Sequence, residues 1–248
     1  MKCIITCAGY ATRLMPLTAE NPKSLLPVKG KPILEHILDK IKDIEEIDEI
    51  FIVSNNKFYT KFAWWLATFS KTYNKKISIV DSGSVTVEDQ KGWLHDSLLA
   101  IEQNNINEDL LLIAGDNYLT VDLSEFISFF RKKNAPCLIT YVLKNKEDGK
   151  KFGIVETNDN FKILDIEEKP EEPKTNLAVV ASYCVRKEDI SKMKEFLNRL
   201  DKENKLNPGI GLTHFFKEIY KEEDVFAFPF QGEWVDIGTK EDYERIKD

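Results

Sequence analysis

Cys3-Ile4-Ile5-Thr6-Cys7-Ala8-Gly9-Tyr10-Ala11-Thr12, near the start of a 248-residue chain, passes from an apolar run into small-residue turn chemistry. Cys3 to Cys7 is brief and rich in β-branched residues, so it reads as a buried strand. The glycine that follows lets a ligand come close to backbone N–H groups. Arg13 and Lys23 then sit ten positions apart on a segment stiffened by Pro16, Pro22 and Pro27, and a helix begins near Pro32. Fixed cations beside free N–H donors suit a triphosphate. A surface loop carrying solvated cations is the competing reading. Neither common phosphate signature applies. Gly-x-x-x-x-Gly-Lys-Ser/Thr is absent, and Gly9 stands alone where a dinucleotide fingerprint needs three glycines.

Outward from this stretch, strand and helix alternate. Ile33, Leu34, Ile37, Leu38 and Ile41 recur at helical spacing. Glu49–Val53 reads as a strand, and Lys57–Lys71 as a helix with a core-facing stripe of Phe58, Phe62, Trp65 and Phe69. Ile77–Val80 is a further strand, Asp81–Gly92 a polar loop and Trp93–Ile101 a helix. Asp109–Ala114, the most strand-like run, stops at Gly115-Asp116-Asn117; Val121–Lys133 and Ala135–Leu143 continue as helix and strand. This alternation predicts an α/β fold with a mostly parallel sheet covered on both faces. Ligands in such sheets bind beyond the carboxyl ends of the strands, where Gly9 and Asp116 would meet.

From Phe152 the pattern changes. Phe152–Glu156 and Lys162–Ile166 flank Asn158-Asp159-Asn160, a hairpin signal. Leu177–Val185 is a strand, helices fall near Lys187–Asn198 and Leu212–Tyr220, and Phe226–Phe230, Gly232–Asp236 and a short helix from Thr239 follow. We read one domain, residues 1–248, in which 1–120 binds nucleotide and 121–248 completes the acceptor and metal sites.

Composition narrows the function. A formal charge of −7 disfavours a broad nucleic-acid surface, so an anionic ligand must be met by local cations. No apolar run approaches the ~20 residues of a membrane span and no targeting signal opens the chain, so no membrane partner and a cytoplasmic location are expected. Cys3, Cys7, Cys137 and Cys184 lie among apolar neighbours and read as reduced buried thiols. Cys3 and Cys7 share a strand face, yet no second pair makes a zinc site. There is no Gly-x-Ser-x-Gly elbow, and His36, His95 and His214 lack ligand spacing.

The remaining residues suit nucleotidyl transfer. That reaction brings an anionic phosphate to a polyanion, so positioning and charge neutralisation carry it, with no covalent nucleophile. Asp116 and Asp236, each ending an apolar run, are the candidate ligands for Mg²⁺, and Arg13, Lys23 and Lys169 the candidate cations. Each has a plainer explanation: Gly-Asp-Asn is ordinary turn chemistry, Asp236 could cap the next helix, and Lys169 could be solvated.

The chain resembles the sugar-phosphate nucleotidylyltransferases, such as glucose-1-phosphate thymidylyltransferase. The likeness lies in Ala8-Gly9-Tyr10-Ala11-Thr12-Arg13-Leu14 with Pro22-Lys23, in Gly115-Asp116-Asn117, and in Phe152-Gly153-Ile154-Val155-Glu156. It continues in Glu167-Glu168-Lys169-Pro170 with Asn176, and in Trp234-Val235-Asp236-Ile237-Gly238-Thr239. The resemblance implies a Rossmann-like three-layer sandwich with a mixed central sheet, of the nucleotide-diphospho-sugar transferase type. It implies transfer of a nucleoside monophosphate from an NTP to a sugar 1-phosphate, with hexose preferred, Mg²⁺ as cofactor, and a homo-oligomer left open. Ala8, Gly9, Tyr10, Ala11, Thr12, Arg13, Gln90, Gly92 and Asp116 would contact nucleotide; Asn117, Gly153, Glu168, Lys169, Asn176 and Trp234 the acceptor. Arg13 would meet the leaving pyrophosphate, Lys23 the transferring phosphate and Lys169 the acceptor phosphate.

Three departures stand out. Ala11 occupies a position where glycine is usual, tolerable if the backbone there is not glycine-like. Gly92-Trp93-Leu94-His95-Asp96 replaces the usual base-reading run, which leaves the base open. Val180-Ala181 replaces Thr-Gly beside the sugar, which argues against assuming glucose because an unpartnered buried hydroxyl costs ~1–3 kcal/mol. The alternatives are a cytidylyltransferase acting on a phosphorylated alcohol such as phosphocholine, or an inactive nucleotide-sugar-binding regulatory subunit. A glycosyltransferase would want a second carboxylate where Asn117 and Tyr118 stand. Since Asp248 soon follows Gly238-Thr239, neither an acyltransferase β-helix nor a feedback site built on a long C-terminal segment is expected.

Overall fold

In the computed structural model, which describes residues 1–248, the opening apolar run is strand β1 (Lys2–Thr6). It is followed by the two-residue strands β2 (Pro27–Val28) and β3 (Lys31–Pro32) and by helix α1 (Ile33–Ile41). Then come β4 (Glu49–Ser54), α2 (Asn56–Phe69), β5 (Lys76–Asp81), α3 (Trp93–Gln103), β6 (Leu110–Ala114) and β7 (Asn117–Leu119). Next are α4 (Leu123–Lys133), β8 (Cys137–Val142), β9 (Gly153–Thr157), β10 (Ile163–Glu168) and β11 (Leu177–Val185). The chain finishes with α5 (Asp189–Lys202), α6 (Leu212–Ile219), β12 (Phe226–Phe230), β13 (Trp234–Asp236) and α7 (Lys240–Ile246).

One nine-stranded sheet organises these elements. Its central order β5-β4-β1-β6 is parallel throughout, as strand–helix alternation requires. Beyond β6 the sheet turns mixed: β11 runs antiparallel to β6, β8 and β9, the β9–β10 hairpin closes one branch, and β12 lies parallel to β8.

Alternation along β1 explains the three layers. Ile4 joins a core with Leu98, Phe196, Phe215 and Phe216 of α3, α5 and α6. Cys3, Ile5 and Cys7 join the opposite core with Leu34, Phe58, Phe62 and Phe126 of α1, α2 and α4. Each fully buried Ile or Leu contributes about 1.5–3 kcal/mol, so a one-residue register slip in β1 would forfeit several such terms. The expected α2 stripe divides: Phe58 and Phe62 are fully buried, while Trp65 and Phe69 pack at its margin, stacked 4.8 Å apart. All four cysteines are free and buried, and burial pushes the Cys7 thiol up to about 12. No helix is long and apolar enough to cross a membrane.

Two features lie outside what periodicity predicts. β7 and β13 form a separate two-stranded ladder, three residues each, with Asp236 opposite Asn117. Over it sits a small third core, in which Leu14, Leu26 and Val28 meet Ile237, Tyr243 and Ile246. The C-terminal helix thus packs on the loop that carries Arg13.

Candidate active site

Thr6 pairs with Ala114 in the β1–β6 ladder, so the loops after these strands leave the sheet side by side. Gly115 N–H donates to Thr6 O at 2.9 Å and keeps them together. Asn55, buried at the head of α2, serves two ends: its Oδ1 accepts from Phe58 N at 2.9 Å, and its Nδ2 donates to Ala8 O at 2.9 Å. Tyr10 is fixed by its hydroxyl donating to Ser84 O at 3.0 Å.

Ala11 does not meet the condition under which alanine is free of cost here. Its backbone is left-handed (φ 49°, ψ 46°), the glycine-like conformation. Thr18 Oγ1 and Leu14 N both donate to Ala11 O at 2.9 Å and hold it there. A side chain in this region costs about 1–2 kcal/mol, of which glycine's greater unfolded-chain entropy would return roughly half. Ala11→Gly is therefore expected to stabilise the protein by roughly 0.5–1 kcal/mol, read as a melting point higher by ~1–4 °C. A lower melting point would show that the loop carries no strain at this residue.

The β7–β13 ladder brings Asp236 to Asp116. Trp234 Nε1 donates to Asn117 Oδ1 at 2.7 Å, Asn117 Nδ2 donates to Asp116 Oδ1 at 2.8 Å, and Lys23 Nζ meets Asp116 Oδ2 at 2.8 Å. A continuous chain of polar contacts thus fixes the Asp116 carboxylate from both sides. Desolvation opposes its ionisation, but the Lys23 ammonium and the Asn117 amide more than offset this and hold it below the usual carboxylate range. Asp236 goes the other way. Its side chain opens onto the cavity, yet the surrounding protein and then the Asp116 charge push it up to about 6. It does not cap α7: Thr239 does, its Oγ1 accepting from Asp242 N at 3.2 Å.

A cavity of about 500 Å³ lies over these residues. It is lined by Ala8, Gly9, Tyr10, Ala11, Thr12 and Arg13, by Lys23, Gln90, Gly92, Asp116 and Asn117, and by Asp236. Arg13 passes over Gly238, its guanidinium 3.6 Å from where a Cβ on that glycine would stand. Sequence reasoning gave no role to several further lining residues. Thr6, Cys7, Ser24 and Ala114 come from the loop roots, Val87 from the polar loop, and Pro208 from a distant connection. Trp93 and Ala181, noted as departures, line the same space. Pro208 had no signal in the sequence; it arrives because Gly92 (φ 93°) lies against it, a Cβ there falling 2.8 Å from Pro208 O.

Gly153, Glu168, Lys169, Asn176 and Trp234, read as acceptor contacts, do not line this cavity. Gly153 faces Glu168 across the β9–β10 hairpin, and a Cβ on it would come 2.9 Å from Thr213 Cγ2 and 3.1 Å from Glu168 Oε2. Lys169 turns out of the hairpin with φ 47°; its side chain is 64% exposed and 3.8 Å from Glu168. Asn176 Nδ2 donates to Leu143 O at 3.0 Å, which leaves its carbonyl oxygen free. Trp234 packs on Phe152, ring centroids 4.7 Å apart, and so joins this hairpin to the Asp116–Asp236 ladder.

A three-layer sandwich whose cavity, edged by two cations and two carboxylates, opens past the carboxyl ends of its parallel strands defines a nucleotide-handling fold. The chain belongs to the nucleotidyl transferase family, whose model matches residues 2–248. It is 30% identical over 183 residues to the UTP–glucose-1-phosphate uridylyltransferase AglF of Haloferax volcanii, covering 74% of this chain and 71% of that protein. Over 240 residues it is 28% identical to the bifunctional protein GlmU of Methanocaldococcus jannaschii, covering 96% of this chain and 51% of that protein. The fold matches a UDP-glucose pyrophosphorylase complexed with UDP-glucose at a TM-score of 0.78 and 22% identity, covering 98% of this chain and 95% of that one. The chain spans 51% to 62% of the length of three of the curated relatives it matches.

Proposed function

We propose that this chain transfers a nucleoside monophosphate from an NTP to a sugar 1-phosphate, a hexose 1-phosphate by preference. A phosphate oxygen of the acceptor attacks the α-phosphorus, the α–β bridging bond breaks, and pyrophosphate leaves. No proton has to move, so the barrier is one of approach and charge. The observation that carries this reading is the meeting of Asp116 and Asp236 beside Lys23 and Arg13, over a loop with free backbone N–H groups.

In this mechanism the Gly9 loop cradles the triphosphate. Lys23 and Arg13 balance the charge of the transferring and leaving phosphates. Lys169, exposed at its tip, reaches the acceptor phosphate, while Glu168, Gly153 and the free carbonyl of Asn176 meet its hydroxyls. The donor set fits a hard divalent cation, because Asp236 is driven toward protonation partly by Asp116 and both gain from a shared positive charge. Asp116 and Asp236 would hold Mg²⁺, which when bound neutralises charge on the phosphates.

The test is a matrix of the four common NTPs against glucose, mannose, galactose and N-acetylglucosamine 1-phosphates, with phosphocholine included, reading pyrophosphate release with Mg²⁺. Release with a sugar phosphate is expected. Release with phosphocholine and CTP alone would move the acceptor class. Stabilisation by a nucleotide sugar with no turnover for any pair would make the chain a binding subunit and overturn the enzymatic reading.

A further inference from the structure

A second cleft, of about 310 Å³, lies between α3 and α5, away from the carboxylates. Helix α3 presents His95, Leu98, Leu99 and Glu102 to it, and α5 presents Lys194, Leu197, Asn198 and Asp201. Both sets have spacing i, i+3, i+4, i+7, so each is one face of its helix. Lys194 and Glu102 pair at 3.1 Å, which places the last position of the α3 stripe against the first of the α5 stripe. The two helices therefore run antiparallel, and one end of the cleft is electrostatically closed by its own residues.

The other end is not. There His95 and Asp201 come together with Lys91, which precedes α3, and Leu206, which follows α5. Lys91 and Asp201, both exposed, have no ion-pair partner, and His95 Nδ1, buried without a hydrogen bond, lies 3.9 Å from Asp96 Oδ1. Leu98, Leu99 and Leu197 continue as an apolar floor from this end toward the Lys194–Glu102 pair. A cation and a carboxylate at one end of a leucine floor suit a small molecule with both charges and an aliphatic body.

This open end adjoins the nucleotide cavity. Lys91 is bonded to Gly92, Leu206 lies two residues before Pro208, and Gly92 and Pro208 both line that cavity. Their backbones touch so closely that a methyl on Gly92 would stand 2.8 Å from Pro208 O. Such a contact has little slack, so a shift of Lys91 or Leu206 moves the cavity wall. We propose that the α3–α5 cleft is a regulatory site for an aliphatic α-amino acid or a zwitterion of that kind, coupled to nucleotide affinity through Gly92 and Pro208. The site stands independently of the proposed reaction; only the coupling rests on it.

Leucine is the probe, followed by saturation-transfer NMR and calorimetry on the whole chain. A ligand of this size is expected to bind in the millimolar range. Leucinamide, lacking the carboxylate, and 4-methylpentanoate, lacking the amine, should each bind at least about fivefold more weakly. Asp201→Asn should weaken leucine by a similar factor, and Leu99→Trp, which fills the floor, should abolish binding. The dissociation constants of ATP, CTP, GTP and UTP are then measured with and without saturating leucine. A change of about twofold or more for the nucleotide that binds, absent in Leu99→Trp, supports the coupling. No leucine binding, or equal binding to Asp201→Asn and Leu99→Trp, overturns the site. Binding with unchanged nucleotide affinity overturns the regulation. Failure of all four NTPs to bind would sink the nucleotide reading and its coupling, and leave the leucine measurements to decide the site.

Discussion

Asp116→Asn is expected to cut pyrophosphate release on the order of a thousandfold while leaving the protein folded. The size follows from what the carboxylate does: it is one of two anionic oxygen donors facing the cavity, and an amide cannot replace its charge. The small structural cost follows from two opposed changes. Lys23 loses an anionic partner at 2.8 Å, a partly exposed pair since the Asp116 side chain is 41% exposed. Asp236 loses the neighbouring charge that helps push it up to about 6. Asn also keeps an acceptor oxygen for Asn117 Nδ2. The melting point is therefore expected to move by no more than ~4 °C. Turnover near that of the parent would refute the role of Asp116. A large drop in melting point would mean that the Lys23 contact is part of the fold and not of the chemistry. Lys23→Met separates the two further, since it removes the cation and leaves both carboxylates. It should raise the proton affinity of Asp116 and impair turnover without abolishing Mg²⁺ binding in a titration of the folded protein.

How far the sequence could be read depends on the range of the interaction concerned. β1, β4 and β6 were legible because a strand buried on both faces must be continuously apolar, a local property. The β9–β10 hairpin was legible because its turn residues are local too. The β7–β13 ladder was not: its strands are three residues long, with no period to detect, and pair across more than a hundred residues of intervening chain, Asn117 with Asp236 among them. Yet that ladder sets the distance between the two carboxylates. Composition could not show that Ala11 is left-handed either, because the hydrogen bonds from Thr18 and Leu14, and not its own preference, hold it there. The loop residues from Ala8 to Arg13 were recognisable as candidates because glycine and cations carry their chemistry in their type. Pro208 carries none, and lines the cavity only because Gly92 lies against it. Trp234 shows a subtler limit. Besides its expected place at the acceptor, it orients Asn117, which orients Asp116, a role that its residue type does not announce.

Gly115→Ala should be the most damaging single methyl in the molecule. A Cβ at this position would lie 2.2 Å from Cys7 Sγ, 3.1 Å from Thr6 O and 3.2 Å from Ile5 Cγ2. The glycine is required by close approach: the loops after β1 and β6 touch here, both packed in the interior. Overpacking of this kind costs about 1–3 kcal/mol, and the depth of the first overlap places it toward the upper end. The melting point should fall by ~4–10 °C. Since all three collisions are with backbone or a buried side chain, the chain relieves them by moving the Gly115–Asp116 segment. That displaces a carboxylate whose position matters to within about 1 Å, so pyrophosphate release should drop roughly a hundredfold beyond any loss of folded protein. Cys7→Ala provides the discriminating background. Alone it deletes a buried sulfur and should cost about 1 kcal/mol. Combined with Gly115→Ala it removes the worst overlap, so the double variant should be more stable than the sum of the singles by ~1–2 kcal/mol, with turnover partly recovered. Strict additivity in both measurements would mean that the methyl is relieved through Thr6 and Ile5, and that Cys7 does not set the position of Asp116.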